Sequence, residues 1–341
     1  MRIGLLFDFP QGDHGAGLER ALRHGLEATG VDPTGVEFLH DETLGHPAGP
    51  VEDVIAGFDR LAAAGVDLVI GPSISDNCVA VRDAADGHEL PAINYSGGER
   101  TRSDWMFQYQ VGSLEEEPPL LVARMRERSL RSCVIVHDAS VVGDRYREVF
   151  GWSARDVGID VLDATAIDPL STDVGAVVAK LRTHHPDVVL YLGLGASSHA
   201  VATAINDQEW AVPVLANSAL MFGYVRPDWH EAWAGWEYID TIADDNIARR
   251  AFQSLDPRSA ASPVGCCAYD LGRMVGLAMG RAERLDRPGL REGLERVKQI
   301  PAASGYEGTL MGFGVRDRGA LKGQFLVLRE WRDGTTVQVE R

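Results

Sequence analysis

The chain has 341 residues, of which 45% are hydrophobic, and a formal net charge of −17 with a sequence pI near 5.0. That length and apolar content fill two ordinary cores without disulfides and exclude a disordered chain. So acidic a chain lacks the basic face that nucleic acid or an anionic lipid surface requires, which leaves a small molecule or another protein as the expected partner.

After Met1 and Arg2 the sequence enters IGLLFDF directly, with no apolar signal region and no later window of about 18 apolar residues. As written, it reads as a cytoplasmic chain with no membrane insertion, or as an extracytoplasmic one if a leader has been removed. From there strand and helix patterns alternate. RIGLLFDF, GVEFLHD, VDLVIGP and LPAINYS are apolar strand-length runs, separated by amphipathic stretches such as GLERALRHGLEATG and VEDVIAGFDRLAAAG. WMFQYQVGSLEEEPP interrupts the alternation, which then resumes through RSCVIVHDA, IDVLDATAI, DVVLYLGLG and VPVLANSAL with helices between them. Later come a strand at WEYIDTI, helices at PVGCCAYDLGRMVGLAMGRAERLD and PGLREGLERVKQI, and a closing hairpin whose Asp333-Gly334 marks a tight turn. Strand-helix-strand units of this kind build parallel sheets covered on both faces, so the pattern predicts an α/β chain of two doubly wound lobes.

Ligands of such sheets bind outside the carboxyl ends of the strands. In the first lobe that selects Asp8 to His14, Gly71 to Asn77 and Asn94 to Gly98. In the second it selects His137 to Gly143, Leu194 to Ser198 and Asn217 to Phe222. Motifs for chemistry are incomplete at these positions. GPSISDN lacks the second glycine of a nucleophile elbow, GLGAS lacks the third glycine of a dinucleotide fingerprint, and no Walker A loop is present. An α/β enzyme using a nucleotide cofactor is therefore a weakly supported alternative, and no catalytic residue or cofactor is assigned. Cys78, Cys133, Cys266 and Cys267 lack zinc-type spacing, the ten histidines form no metal-ligand pair, and no metal site is expected. Glu115, Glu116 and Glu117 before Pro118-Pro119 read as the first turn of a helix, where carboxylates suit the helix dipole. The three tryptophans of DWHEAWAGWEY read as a packing cluster or as an aromatic wall over a ligand.

The ordered series GPSIS, LPAINYSGG, FQYQV, VIVHDASVVGDRY, DVVLYLGLG, CCAYDLGRMVGLAMGRA and GALKGQFLVLREWRDGT resembles the type I periplasmic binding proteins, in particular their branched-chain amino-acid and amide-binding branch. The resemblance runs over nearly the whole chain. It implies two lobes joined by three crossovers: residues 1–112 plus 239–320, and residues 113–238 plus 321–341, with the ligand in a cleft between lobes that close as on a hinge. It also implies that Ser73, Ile74 and Ser75 hold a ligand carboxylate or amide, with Ser96, Gly97 and Gly98 as the second anchor. His14 falls where the family has an aromatic residue. Leu194 and Gly195 stand where many members carry another aromatic, and Asn217 or Ser218 where amino-acid binders place an acidic residue. A buried ammonium without a counter-charge costs several kcal/mol, so standard α-amino acids are expected to bind poorly. A pocket formed by His14, Leu194, Asn217, Met221 and Phe222 suits a carboxylate or amide with an apolar or aromatic body. The implied role is a non-enzymatic solute-binding protein presenting its closed form to an ABC permease, alternatively a cytoplasmic sensor acting through a regulatory protein. The family includes monomers and homodimers.

Overall fold

A computed structural model describes residues 1–8 and 14–340, the side chains of His14 and Phe222 excepted. The chain divides into two compact units, one of Met1–Val111 with Thr241–Phe325 and the other of Gly112–Asp240 with Leu326–Arg341.

The first unit opens with β1 (Arg2–Phe7), α1 (His14–Glu27), β2 (Glu37–Glu42), α2 (Val51–Ala63), β3 (Leu68–Ile70), α3 (Ser75–Gly87), β4 (Ala92–Asn94) and β5 (Met106–Gln108). Its five strands are parallel in the order β2-β1-β3-β4-β5. The order reverses direction between β1 and β3, the switch point at which doubly wound sheets hold ligands. Val54, Phe58 and Leu61 of α2 pack with Leu6, Val69 and Val81 into an apolar core. β5 lies inside the stretch that sequence pattern reads as an interruption.

The second unit contains α4 (Glu117–Glu127), β6 (Ser132–Asp138), α5 (Val141–Asp156), β7 (Asp160–Ile167), α6 (Gly175–Arg182), β8 (Val188–Leu192), α7 (Ser198–Asp207), β9 (Val214–Ala216), a 3-10 helix Ser218–Val225 and β10 (Glu237–Asp240). The chain then returns to the first unit for α8 (Ile247–Leu255), α9 (Pro263–Arg281), α10 (Arg287–Glu295) and a small sheet of β11 (Ile300–Pro301), β12 (Leu310–Met311) and β13 (Leu321–Lys322). It ends in the second unit as the hairpin β14 (Val327–Arg332) and β15 (Thr335–Gln338). The seven-stranded sheet runs β15-β14-β10-β9-β8-β6-β7, so β7, β6, β8, β9 and β10 repeat the winding order of the first unit, with its switch point between β6 and β8. The hairpin extends this sheet by antiparallel pairing of β14 with β10.

α9 packs directly on α1. A Cβ at Gly25 would collide with the Tyr269 carbonyl, and one at Gly272 with the Leu22 carbonyl, so the two backbones touch where side chains would hold them apart. Trp229, Trp233 and Trp236 are buried. Trp233 meets Trp229 edge-on and lies against Trp331 of β14, which makes the group a packing cluster.

Candidate functional site

At the switch point of the first unit, Asp8 follows β1 and is 0% exposed. Its carboxylate accepts hydrogen bonds from the Ser73 N–H (2.8 Å), the Ser73 hydroxyl (2.7 Å), the Ile74 N–H (3.0 Å) and the Asn77 side-chain amide (2.9 Å). Burial raises the Asp8 pKa, and the bonds from Asn77 and Ser73 pull against that rise. Asp8 thus straps the loop that leads into α3. Gly71 begins this loop at φ +110, where a Cβ would run into the Leu6 carbonyl.

The strap decides which predicted anchors remain open. Ser73 and Ile74 direct their donors at Asp8. Ser75, the first residue of α3, is 7% exposed and makes no hydrogen bond through N–H or hydroxyl among the described residues. The second predicted loop comes close to it, since a Cβ built on Gly98 would lie 3.2 Å from the Ser75 Oγ. That loop is braced from below. The Ser96 hydroxyl donates to Asn94 Oδ1 (2.8 Å), and Gln108 Nε2 donates to the Ser96 and Gly98 carbonyls (2.8 and 3.0 Å). Gly97 is half-buried beside them. Ser75, Gly97 and Gly98 therefore form one donor-bearing corner at the helix N-terminus, chemistry that suits an anionic or carbonyl oxygen.

The second unit repeats the strap. Asp138, ending β6, accepts from the Leu194 N–H (2.5 Å) and the Ser197 hydroxyl (3.3 Å) at the equivalent switch point. Asn217 is 1% exposed, and both ends of its side-chain amide bond Gly193: it accepts from the Gly193 N–H (3.2 Å) and donates to the Gly193 carbonyl (2.9 Å). Half-buried Leu194, Ser218 and Met221 surround this strand end. The side chains of His14 and Phe222 lie outside the described residues.

Sequence pattern missed one group here. Glu117, the first residue of α4, is 0% exposed, and its carboxylate lies against Ser218. Glu117 Oε1 accepts from the Ser113 N–H (2.5 Å), the Ser218 hydroxyl (2.9 Å) and the Tyr146 hydroxyl (3.1 Å), and Oε2 accepts from the Ser218 N–H (2.7 Å). Burial pushes its pKa up to about 7 against the pull of these bonds. Among the described residues no group of three or more His, Cys, Asp or Glu is placed to hold a metal ion. No helix among them is long and apolar enough to cross a membrane.

Residues 46–326 match the model of the periplasmic binding protein family. The chain belongs to that family. Periplasmic binding proteins of this kind are non-enzymatic, extracytoplasmic solute-binding proteins of ABC-transporter type, and the α/β architecture is theirs. Three solved structures share the fold. An ABC-transporter solute-binding protein from R. palustris, in complex with 4-hydroxybenzoate, is 15% identical with TM-score 0.82 over 100% of this chain and 96% of that one. A leucine-binding protein from Thermotoga maritima is 15% identical with TM-score 0.82 over 99% and 97%. A substrate-binding protein from Desulfitobacterium hafniense, in complex with Leu, is 18% identical with TM-score 0.79 over 99% of each chain. No curated protein sequence matches the chain.

Proposed function

We propose that this periplasmic binding protein takes up one small organic solute with an apolar or aromatic body and a carboxylate or amide, and delivers it to an ABC permease. The observation that carries this reading is the corner formed by Ser75 with Gly98, beside Gly97, where Ser75 makes no hydrogen bond through N–H or hydroxyl among the described residues while Asp8 satisfies the neighbouring Ser73 and Ile74. The second unit supports the exclusion of α-amino acids. Asn217 stands where amino-acid binders of the family place an acid, and its amide is locked onto Gly193. The carboxylate of Glu117 is enclosed by four donors of its own. The 4-hydroxybenzoate bound by the R. palustris protein is a solute of the proposed class. The family's place outside the cytoplasm favours delivery over cytoplasmic sensing, and cell fractionation reads the difference.

Thermal shift with 4-hydroxybenzoate, benzamide and leucine tests the proposal, because a ligand bound only by the folded form raises Tm. Stabilisation by 4-hydroxybenzoate or benzamide, weakened about 10- to 100-fold in Ser75→Ala, is the expected result, since a hydrogen bond to a charged group contributes ~1.5–3 kcal/mol. Stabilisation by leucine alone overturns the assignment of the solute class.

A further inference from the structure

We propose that Glu117 sets the hydrogen-bonding polarity of the Ser218 hydroxyl, and so selects solutes that donate a hydrogen bond, such as a phenol, alcohol or primary amide, over isosteres that only accept one. This rests on the reading of Ser218 as a solute contact.

The geometry leaves few arrangements of protons. An ionised carboxylate only accepts, and four donors converge on this one: two backbone N–H groups and two hydroxyls. Among the described residues no cation pairs with it. With Glu117 ionised, the Ser218 proton points inward at Oε1, and the remaining lone pairs of Oγ face away from the carboxyl. Half-buried Ser218 then presents an acceptor. When Glu117 gains a proton, that proton needs an acceptor, and the N–H groups of Ser113 and Ser218 cannot serve. The hydroxyls can, because each has lone pairs and a rotatable proton. A carboxyl that donates to Ser218 Oγ turns the serine proton outward, and Ser218 presents a donor instead.

The Tyr146 hydroxyl is the second acceptor open to the carboxyl proton. Tyr146, from α5, is the titratable group facing Glu117, and burial pushes its own pKa well above the usual range, so it stays protonated. Glu115 and Glu116 precede Glu117 on the same segment, and the Glu116 N–H donates to the Ser113 hydroxyl. Gly112 closes the cage from the chain side: a Cβ there would collide with both Ser218 Oγ and Glu117 Oε1. Because burial lifts Glu117 to about 7, the change of polarity falls near neutral pH.

The test uses the full chain and two probes, 4-hydroxybenzoate and 4-methoxybenzoate, titrated calorimetrically on either side of neutrality. The expected result is that the preference for the phenol over the ether narrows about tenfold as pH drops through the titration of Glu117, because the ether gains the hydrogen bond that the outward serine proton offers while the phenol donates to one form and accepts from the other. Affinity for the ether does not fall, and Glu117→Gln abolishes the difference. The same pH profile in wild type and Glu117→Gln overturns the proposal. A second arm needs no solute: infrared spectroscopy follows the protonated Glu117 carboxyl, identified by its loss in Glu117→Gln. Its midpoint is expected near 7 and moves upward in Ser218→Ala, which removes a donor that favours the ionised form; an unmoved midpoint overturns the coupling. Ser218→Ala and Tyr146→Phe carry this arm if Glu117→Gln does not fold. If neither probe binds at any pH, the proposed solute class fails, and the infrared midpoint alone decides the role of Glu117.

Discussion

Buried carboxyls organise both candidate strand ends, and they do so by holding backbone. Asp8, just after β1, and Asp138, ending β6, reach across the switch points to the loop after the strand beyond. Glu117 does the same for Ser218, at a cost that depends on pH. Its folded pKa of about 7 lies above the ordinary glutamate value of 4.5, so the folded state holds this proton more tightly than the unfolded chain. The resulting stabilisation is complete below 4.5 and is lost as pH rises through 7. Urea titrations across this window are expected to show wild type losing stability with rising pH, by an amount on the order of a few kcal/mol. Glu117→Gln is expected to lack this component, and parallel curves for the two proteins would contradict it. The serines of the loop after β3 were legible because Gly71, Pro72 and two serines follow an apolar run directly. The straps were not, since Asp8 meets Ser73 from 65 positions away and Glu117 meets Ser218 from 101. Reading Glu117 as a helix-opening carboxylate describes its local place in α4; only the fold adds its burial.

The strands and helices of the two windings follow from local pattern, whereas β5, α8 and the small sheet do not. The β14–β15 hairpin follows from Asp333 and Gly334, both at positive φ (51 and 73), the backbone that a tight two-residue turn demands. β11, β12 and β13 have two residues each, so none carries a periodic signal. α8 also escaped notice, although Asn246 caps it by accepting from the Arg249 N–H (2.8 Å). The tryptophan-rich stretch allowed two readings by composition, and its burial against Trp331 selects packing. The α1–α9 contact supports a paired prediction. Gly25→Ala forces a methyl into the Tyr269 carbonyl and is expected to destabilise by about 1–3 kcal/mol or more, as overpacking does. Gly17→Ala, in the same helix with nothing within 4 Å of its Cβ, is expected to stabilise by about 0.5–1 kcal/mol. Chemical denaturation of both variants reads the contrast, and equal effects would mean that the helices do not meet at Gly25.

At the scale of the whole molecule, the chain passes between its units three times, after Val111, after Asp240 and after Phe325, so neither unit is one continuous stretch. Residues 1–111 contain all five strands of the first sheet but lack α9, which covers α1. Expressed alone, this piece is expected to show no cooperative thermal transition by circular dichroism while the full chain does; a sharp transition would show that the sheet folds without α9. The same interleaving sets a timetable for a growing polypeptide. Domains of a continuous chain can fold one after another as they leave the ribosome, but here the first unit waits for residues 263–281 and the second for its last strands at 327–338. Neither core can close before those distant residues have been made, and until then the nascent chain displays apolar helix and strand faces that a chaperone can hold.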